Sequence, residues 1–160
     1  MAALVASAAF ILLVPSGSGG ASLARVRSQL RALHLRPAPL FPARLPASFR
    51  GAGATLNNAG FDFNVDWDRS RPGRGGSRET VFLVSFRRAG PQVLGQVLHD
   101  RRTTSSRRVR VGARTVYVIH SSKLILGWGE QGRTYLLISK YLRPSTADLK
   151  RFVRALRPLH

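Results

Sequence analysis

The chain of 160 residues contains no cysteine. Disulfides, thiol catalysis, zinc–thiolate clusters, iron–sulfur centres and a lipid-modified cysteine are therefore excluded. Acidic residues are also scarce, at 7 Asp+Glu against 26 Lys+Arg, which leaves a net charge of +19. The longest run of small and apolar residues covers residues 2–14. Thirteen helical residues span about 20 Å, short of the ~30 Å hydrocarbon core of a bilayer. The nucleophile-elbow, phosphate-loop and dinucleotide-binding patterns are missing from the positions where a strand–turn–helix would need them. The four histidines, His34, His99, His120 and His160, show no metal-ligand spacing. No catalytic residue, metal or cofactor is expected, and the chain reads as a non-enzymatic protein.

What is present starts with residues 2–14, AALVASAAFILLV, which Pro15 and the small, flexible SGSGGAS follow. A short apolar segment with a small-residue exit has the form of a signal peptide, with cleavage expected after Ala21. No Lys or Arg precedes the apolar run, so a start lying further upstream or an uncleaved anchor is the rival reading, and a buried apolar helix the plain one. A secreted or extracytoplasmic, cell-envelope location follows from a signal peptide or an anchor. Of the basic residues, 23 are Arg and only Lys123, Lys140 and Lys150 are Lys. Such a skew also arises from a GC-rich coding sequence, which tempers functional arguments from the charge.

Residues 22–34 carry Leu23, Val26, Leu30 and Leu33 on one stripe, with Ser22 as cap, and predict a helix. Pro37, Pro39, Pro42 and Pro46 predict an extended strap, with Leu40, Phe41 and Leu45 free to dock on a core. In residues 61–68 the apolar Phe61, Phe63, Val65 and Trp67 alternate with Asp62, Asn64, Asp66 and Asp68, the clearest strand of the chain. A basic loop, residues 69–76, leads to the continuous β-former run 80–86, which predicts a central strand. Residues 91–99 fit a short helix better than a strand, although Gly95 weakens it. Strands are expected at 107–111 and 114–120, around a turn opened by Gly112, and at 123–128 and 133–139, around Gln131-Gly132. Trp128 and Tyr135 are placed to meet across the second hairpin if the register holds. Ser145 and Asp148 form a capping box for a last helix with Leu149, Phe152, Val153 and Leu156 on one stripe, ended by Pro158.

Two clusters could carry chemistry. Asp62, Asp66 and Asp68 hold three of the seven carboxylates on one predicted strand face. Their ~6.6–6.8 Å spacing is too loose for direct co-ligation of one ion, and Trp67 and Gly73 stand where a calcium loop needs Gly and Glu. The plain alternative is a solvated face paired with arginines. The second cluster is Arg101, Arg102, Arg107, Arg108 and Arg110, with Thr103, Thr104, Ser105 and Ser106 between them. Guanidinium forks match phosphate and carboxylate, so this stretch is a candidate anion-binding hairpin tip. No aromatic interleaves the arginines, so specific nucleic-acid binding is not expected. Its plain alternative is a mobile, solvated loop.

Residues 108–157 run RVRVGARTVYVI, LILGWGEQGRTYLLIS and STADLKRFVRAL. With Gly112, Trp128, Gly132, Tyr135, Ser145, Asp148, Leu149 and Leu156, this order resembles a domain-of-unknown-function family of bacterial exported or membrane-anchored proteins. The resemblance implies a C-terminal β-meander closed by a helix. Some members of that family sit outside the membrane in regulators of sigma factors, and its broader kin carry curved sheets that cradle lipid. No transmembrane or cytoplasmic segment of the kind such a regulator requires is read here.

The expected organisation is a signal peptide (1–21), an N-terminal helix with a Pro-rich strap (22–50), and a sheet domain closed by a helix (51–160). The expected fold is α+β, with an antiparallel sheet of about five or six strands and the N- and C-terminal helices on one face. The expected role is a ligand- or partner-binding module. The alternatives are binding of an anionic envelope polymer or lipid surface through the Arg-rich loop, and a hydrolase using the acidic strand.

Overall fold

The computed structural model describes residues 22–57, 62–70, 78–87, 90–140 and 145–160. The expected leader, residues 1–21, lies outside them, as do Phe61 and most of the basic loop after Ser70. The fold is α+β, built around a large antiparallel sheet.

In chain order the elements are α1 (Leu23–Ala32), β1 (Leu40–Pro42), a 3-10 turn (Ala47–Phe49), β2 (Gly53–Asn57), β3 (Phe63–Ser70), β4 (Arg78–Phe86), α2 (Gly90–His99), β5 (Ser105–Val111), β6 (Arg114–His120), β7 (Leu124–Glu130), β8 (Arg133–Lys140), α3 (Thr146–Ala155) and β9 (Leu156–Pro158). Seven strands form one sheet in the order β2-β3-β4-β8-β7-β6-β5, and β1 pairs with β9 in a separate two-stranded ribbon. This exceeds the five or six strands expected. The additional edge strand, β2, is GATLN, whose Gly, Ala and Asn are poor strand formers. It forms because β3 offers it a paired edge along five residues.

The helices cover both faces, not one. On the first face Val26 and Leu30 of α1 and Leu149, Phe152 and Val153 of α3 join Phe63, Val65, Trp67, Leu83, Val118, Leu126 and Leu137 of the sheet in one buried cluster. On the second, Val93, Leu94, Val97 and Leu98 of α2 pack on Val84, Ile119, Ile125 and Leu136. The second cover is required because β4, β7 and β8 are apolar on both sides. Gly127 lets α2 approach: a Cβ there would lie 2.6 Å from Leu94 Cδ1 and 3.2 Å from Leu136 Cδ2.

The strap is partly a strand. Leu40, Phe41 and Pro42 are all buried, and they pair with Pro158, Arg157 and Leu156. The stripe assigned to the last helix therefore splits, since α3 stops at Ala155 and Leu156 turns extended. Pro158 disfavours helical backbone at the residue before it, which releases 156–158 for pairing. The capping box at Ser145 forms as expected, with Asp148 Oδ2 accepting from the Ser145 N–H at 3.3 Å. Residues 91–99 are helical. Trp128 and Tyr135 are directly paired and stack at 5.3 Å between centroids.

The β5–β6 turn is Val111-Gly112-Ala113-Arg114, and Gly112 has φ +63°. Positive φ at the first central position alone is the type II′ pattern, which suits glycine and matches the strand twist.

Candidate functional site

The acidic strand does not present its carboxylates together. Asp66 and Asp68 stay on the α2 side of β3, opposite Phe82 and Thr80. The chain bends at Asp62, whose Oδ2 accepts from Arg133 Nη1 and, at 3.5 Å, from Ser85 Oγ. Those groups lie with Tyr135 on the opposite side of the sheet, so the expected three-carboxylate face is reduced to two. The physical reason is the buried charge of Arg133, 2% exposed, which draws the nearest carboxylate. Asp66 accepts from Asn57 Nδ2 at 3.2 Å and Asp68 from Thr80 Oγ1 at 2.5 Å.

Arg133 also reaches the carbonyls of Arg36 and Pro37, each at 3.2 Å from Nη2. It thereby ties the strap to the end of β8. Next to it, the Leu40 N–H donates to the Tyr135 hydroxyl at 3.1 Å. Arg114 performs a second internal task. It forms a two-pronged pair with Glu130 (2.5 and 3.2 Å) and donates to the carbonyls of Val153 and Leu156 at 3.1 and 3.3 Å. A cation there satisfies carbonyls left open at the end of α3. Sequence reasoning missed both arginines. Each flanks a hairpin turn, but nothing local separates them from the solvated majority.

Burial raises the Tyr135 phenol above its ordinary value, against the Leu40 N–H and the positive charge of Arg133, which lower it. The unfolded phenol ionises near pH 10. Above that the native state holds a proton the unfolded chain has lost, so stability falls as pH rises and is intact below. Urea unfolding at pH 9 and pH 11 is expected to show this slope, and Tyr135→Phe is expected to reduce it. The same variant, with the Leu40 N–H left unmet, is expected to lose about 1–3 kcal/mol at pH 7.

The arginine cluster is not one loop. Arg101 and Arg102 lie in the turn after α2, where the Asp100 carboxylate accepts from the Arg102 N–H at 2.8 Å. Arg107, Arg108 and Arg110 belong to β5, because the strand begins two residues earlier than expected. Arg108 and Arg110 stand opposite Tyr117 and Thr115 on the α2 side, and Arg107 opposite Val118 on the other. β5 is the last strand of the sheet, and all five arginines are exposed. Three of them thus stand on the edge strand, and two in the turn that precedes it.

Six of the seven acidic residues have described side chains, and each accepts a hydrogen bond within the fold. These acceptors are Asp62, Asp66, Asp68, Asp100, Glu130 and Asp148. Ion pairs among the described residues join Arg114, Arg133 and Arg151 to them, and none involves Arg101, Arg102, Arg107, Arg108 or Arg110. Each described acid thus has a hydrogen-bond partner within the chain, and among the described residues none of these five exposed arginines is ion-paired.

Two open clefts flank other arginines. One of about 230 Å³ lies between α1 and the β1–β9 ribbon, lined by Arg27, Arg31, Phe41 and Arg157. The other, about 390 Å³, lies beside the β7–β8 turn, with Arg87 and Thr134 on its wall. Among the described residues no group of His, Asp and Glu could hold a metal ion, and no helix is long and apolar enough to cross a membrane. Comparison of the chain with models of known protein families, with curated proteins and with solved structures gives no match.

Proposed function

We propose that the protein is a non-enzymatic binding module of the secreted or cell-envelope class, which holds an anionic partner on the edge carrying Arg101, Arg102, Arg107, Arg108 and Arg110. The observation behind this reading is the division of charge: each described carboxylate accepts a hydrogen bond within the chain, while these cations stand exposed on β5 and the turn before it, without an ion pair among the described residues. The apolar run at residues 2–14 supports export. The likeness of residues 108–157 to exported modules of unknown function points the same way. A lipid cradle has less support, since terminal helices pack the first face and α2 the second. A hydrolase built on the acidic strand has less still, because Asp62 leaves its neighbours for Arg133.

Binding of inorganic polyphosphate, followed across a salt series, tests the reading. The affinity is expected to fall steeply with salt. Removing four arginines (Arg101, Arg102, Arg107 and Arg108→Ala) is expected to lower the slope by roughly one unit for each phosphate no longer neutralised. A control removing the exposed Arg25, Arg44, Arg50 and Arg154 carries the same change in charge. An equal weakening in the two variants, or a salt-insensitive interaction, would reject a localised site.

A further inference from the structure

Among the described residues the seven-stranded sheet has two free edges, and they differ. β2 has five residues and no charged one. β5 has seven residues, three of them arginine, and every position except Val109 and Val111 is exposed. The two-residue turn at Gly112-Ala113 makes Val111 and Arg114 a hydrogen-bonded closing pair. Antiparallel pairs alternate, so Val109–Val116 and Arg107–Val118 repeat that pattern. The main-chain N–H and C=O groups of Ser106, Arg108 and Arg110 consequently point away from β6, into solvent. Three residues spaced by two offer donors and acceptors over about 13–14 Å.

We infer that β5 accepts an extended, acidic segment of a partner protein as an eighth strand. This rests on the anionic-partner reading above and gives that partner its chemistry and its geometry. An added strand sends alternate side chains to the two sides of the sheet. It meets Arg108 and Arg110 on the α2 side and Arg107 on the other, so carboxylates on either side of the segment find guanidinium forks. Main-chain bonds supply the docking and the arginines choose the partner. The same charges close the edge to a second copy of this chain, whose β5 would bring arginine against arginine. The edge is thus guarded against self-association yet open to a strand of opposite charge.

The test uses the full chain and three synthetic octapeptides: alternating Glu and Val, its Gln counterpart, and the Glu peptide N-methylated at alternate residues on its edge-facing side. The Glu peptide is expected to bind at least about tenfold more tightly than the other two, a difference of about 1.4 kcal/mol. At saturation, amide exchange at Ser106, Arg108 and Arg110 is expected to slow by about tenfold or more, with the β2 amides unchanged. Arg108→Glu with Arg110→Glu is expected to abolish the preference for Glu over Gln. Equal binding of the N-methylated peptide, with the three β5 amides still exchanging freely, would overturn strand addition. If polyphosphate still bound through the arginines in that case, the broader reading would stand without it. Failure of both probes would remove both.

Discussion

Arg133→Ala is expected to destabilise the fold by about 3–5 kcal/mol, the scale for removing one partner of a buried charge pair. Arg133 is 2% exposed, and its guanidinium serves the Asp62 carboxylate and the carbonyls of Arg36 and Pro37 together. Truncation leaves a carboxylate, whose side chain is 20% exposed, without its counter-charge. It also strips both strap carbonyls of a donor, so the strap's N-terminal end loses its tie to β8. Lysine offers a point charge rather than a planar fork, so Arg133→Lys is expected to recover only part of the loss. Urea unfolding followed by far-UV circular dichroism measures this, with the exposed Arg154→Ala as reference. A loss under about 1 kcal/mol would show that the pair behaves like a solvated one.

Trp67→Ala is the second large effect, also about 3–5 kcal/mol. Its indole joins three parts of the first face. The ring lies 5.0 Å from Phe152 of α3, edge to face, and 6.0 Å from Phe41 of the strap, and it belongs to β3 itself. Phe49 extends the cluster against Phe152 at 5.3 Å. The Trp67 Nε1–H is buried without an acceptor among the described residues. A phenyl ring would give up volume but also remove that unmet donor, so Trp67→Phe is expected to cost only about 1–2 kcal/mol. If Ala proved no more harmful than Phe, the aromatic cluster would not be what fastens strap and α3 to the sheet.

Much of the local structure was legible in residue order. The stripes of α1 and α3, the alternation of β3 and the glycine turns each rest on packing or dihedral limits within a few residues. Leu156 shows where that reading stops. Its spacing continues the α3 stripe and it is buried, yet its backbone is extended and paired with Pro42. Periodicity reports that a side chain faces inward, not which element carries it there. β2 was missed for the converse reason: its residues have little preference of their own, and its partner strand supplies the order.

The candidate site was half legible. A run with five arginines in ten positions is plain to see, but as a loop it would be only a solvated charge. The strand order puts three of them on an edge, because β5 ends the sheet and pairs on one side only. Conversely, the even spacing of Asp62, Asp66 and Asp68 suggested one face, and a buried arginine seventy-one residues away from Asp62 broke it.

Residue order alone thus settled where most helices, strands and turns lie and how positive the molecule is, since these follow from short-range sterics, period and composition. Tertiary structure decided which arginines are spent inside and which stand on an open edge. That choice depends on long-range pairing: a buried cation must find its acceptors wherever the chain brings them, and local sequence does not encode where that is.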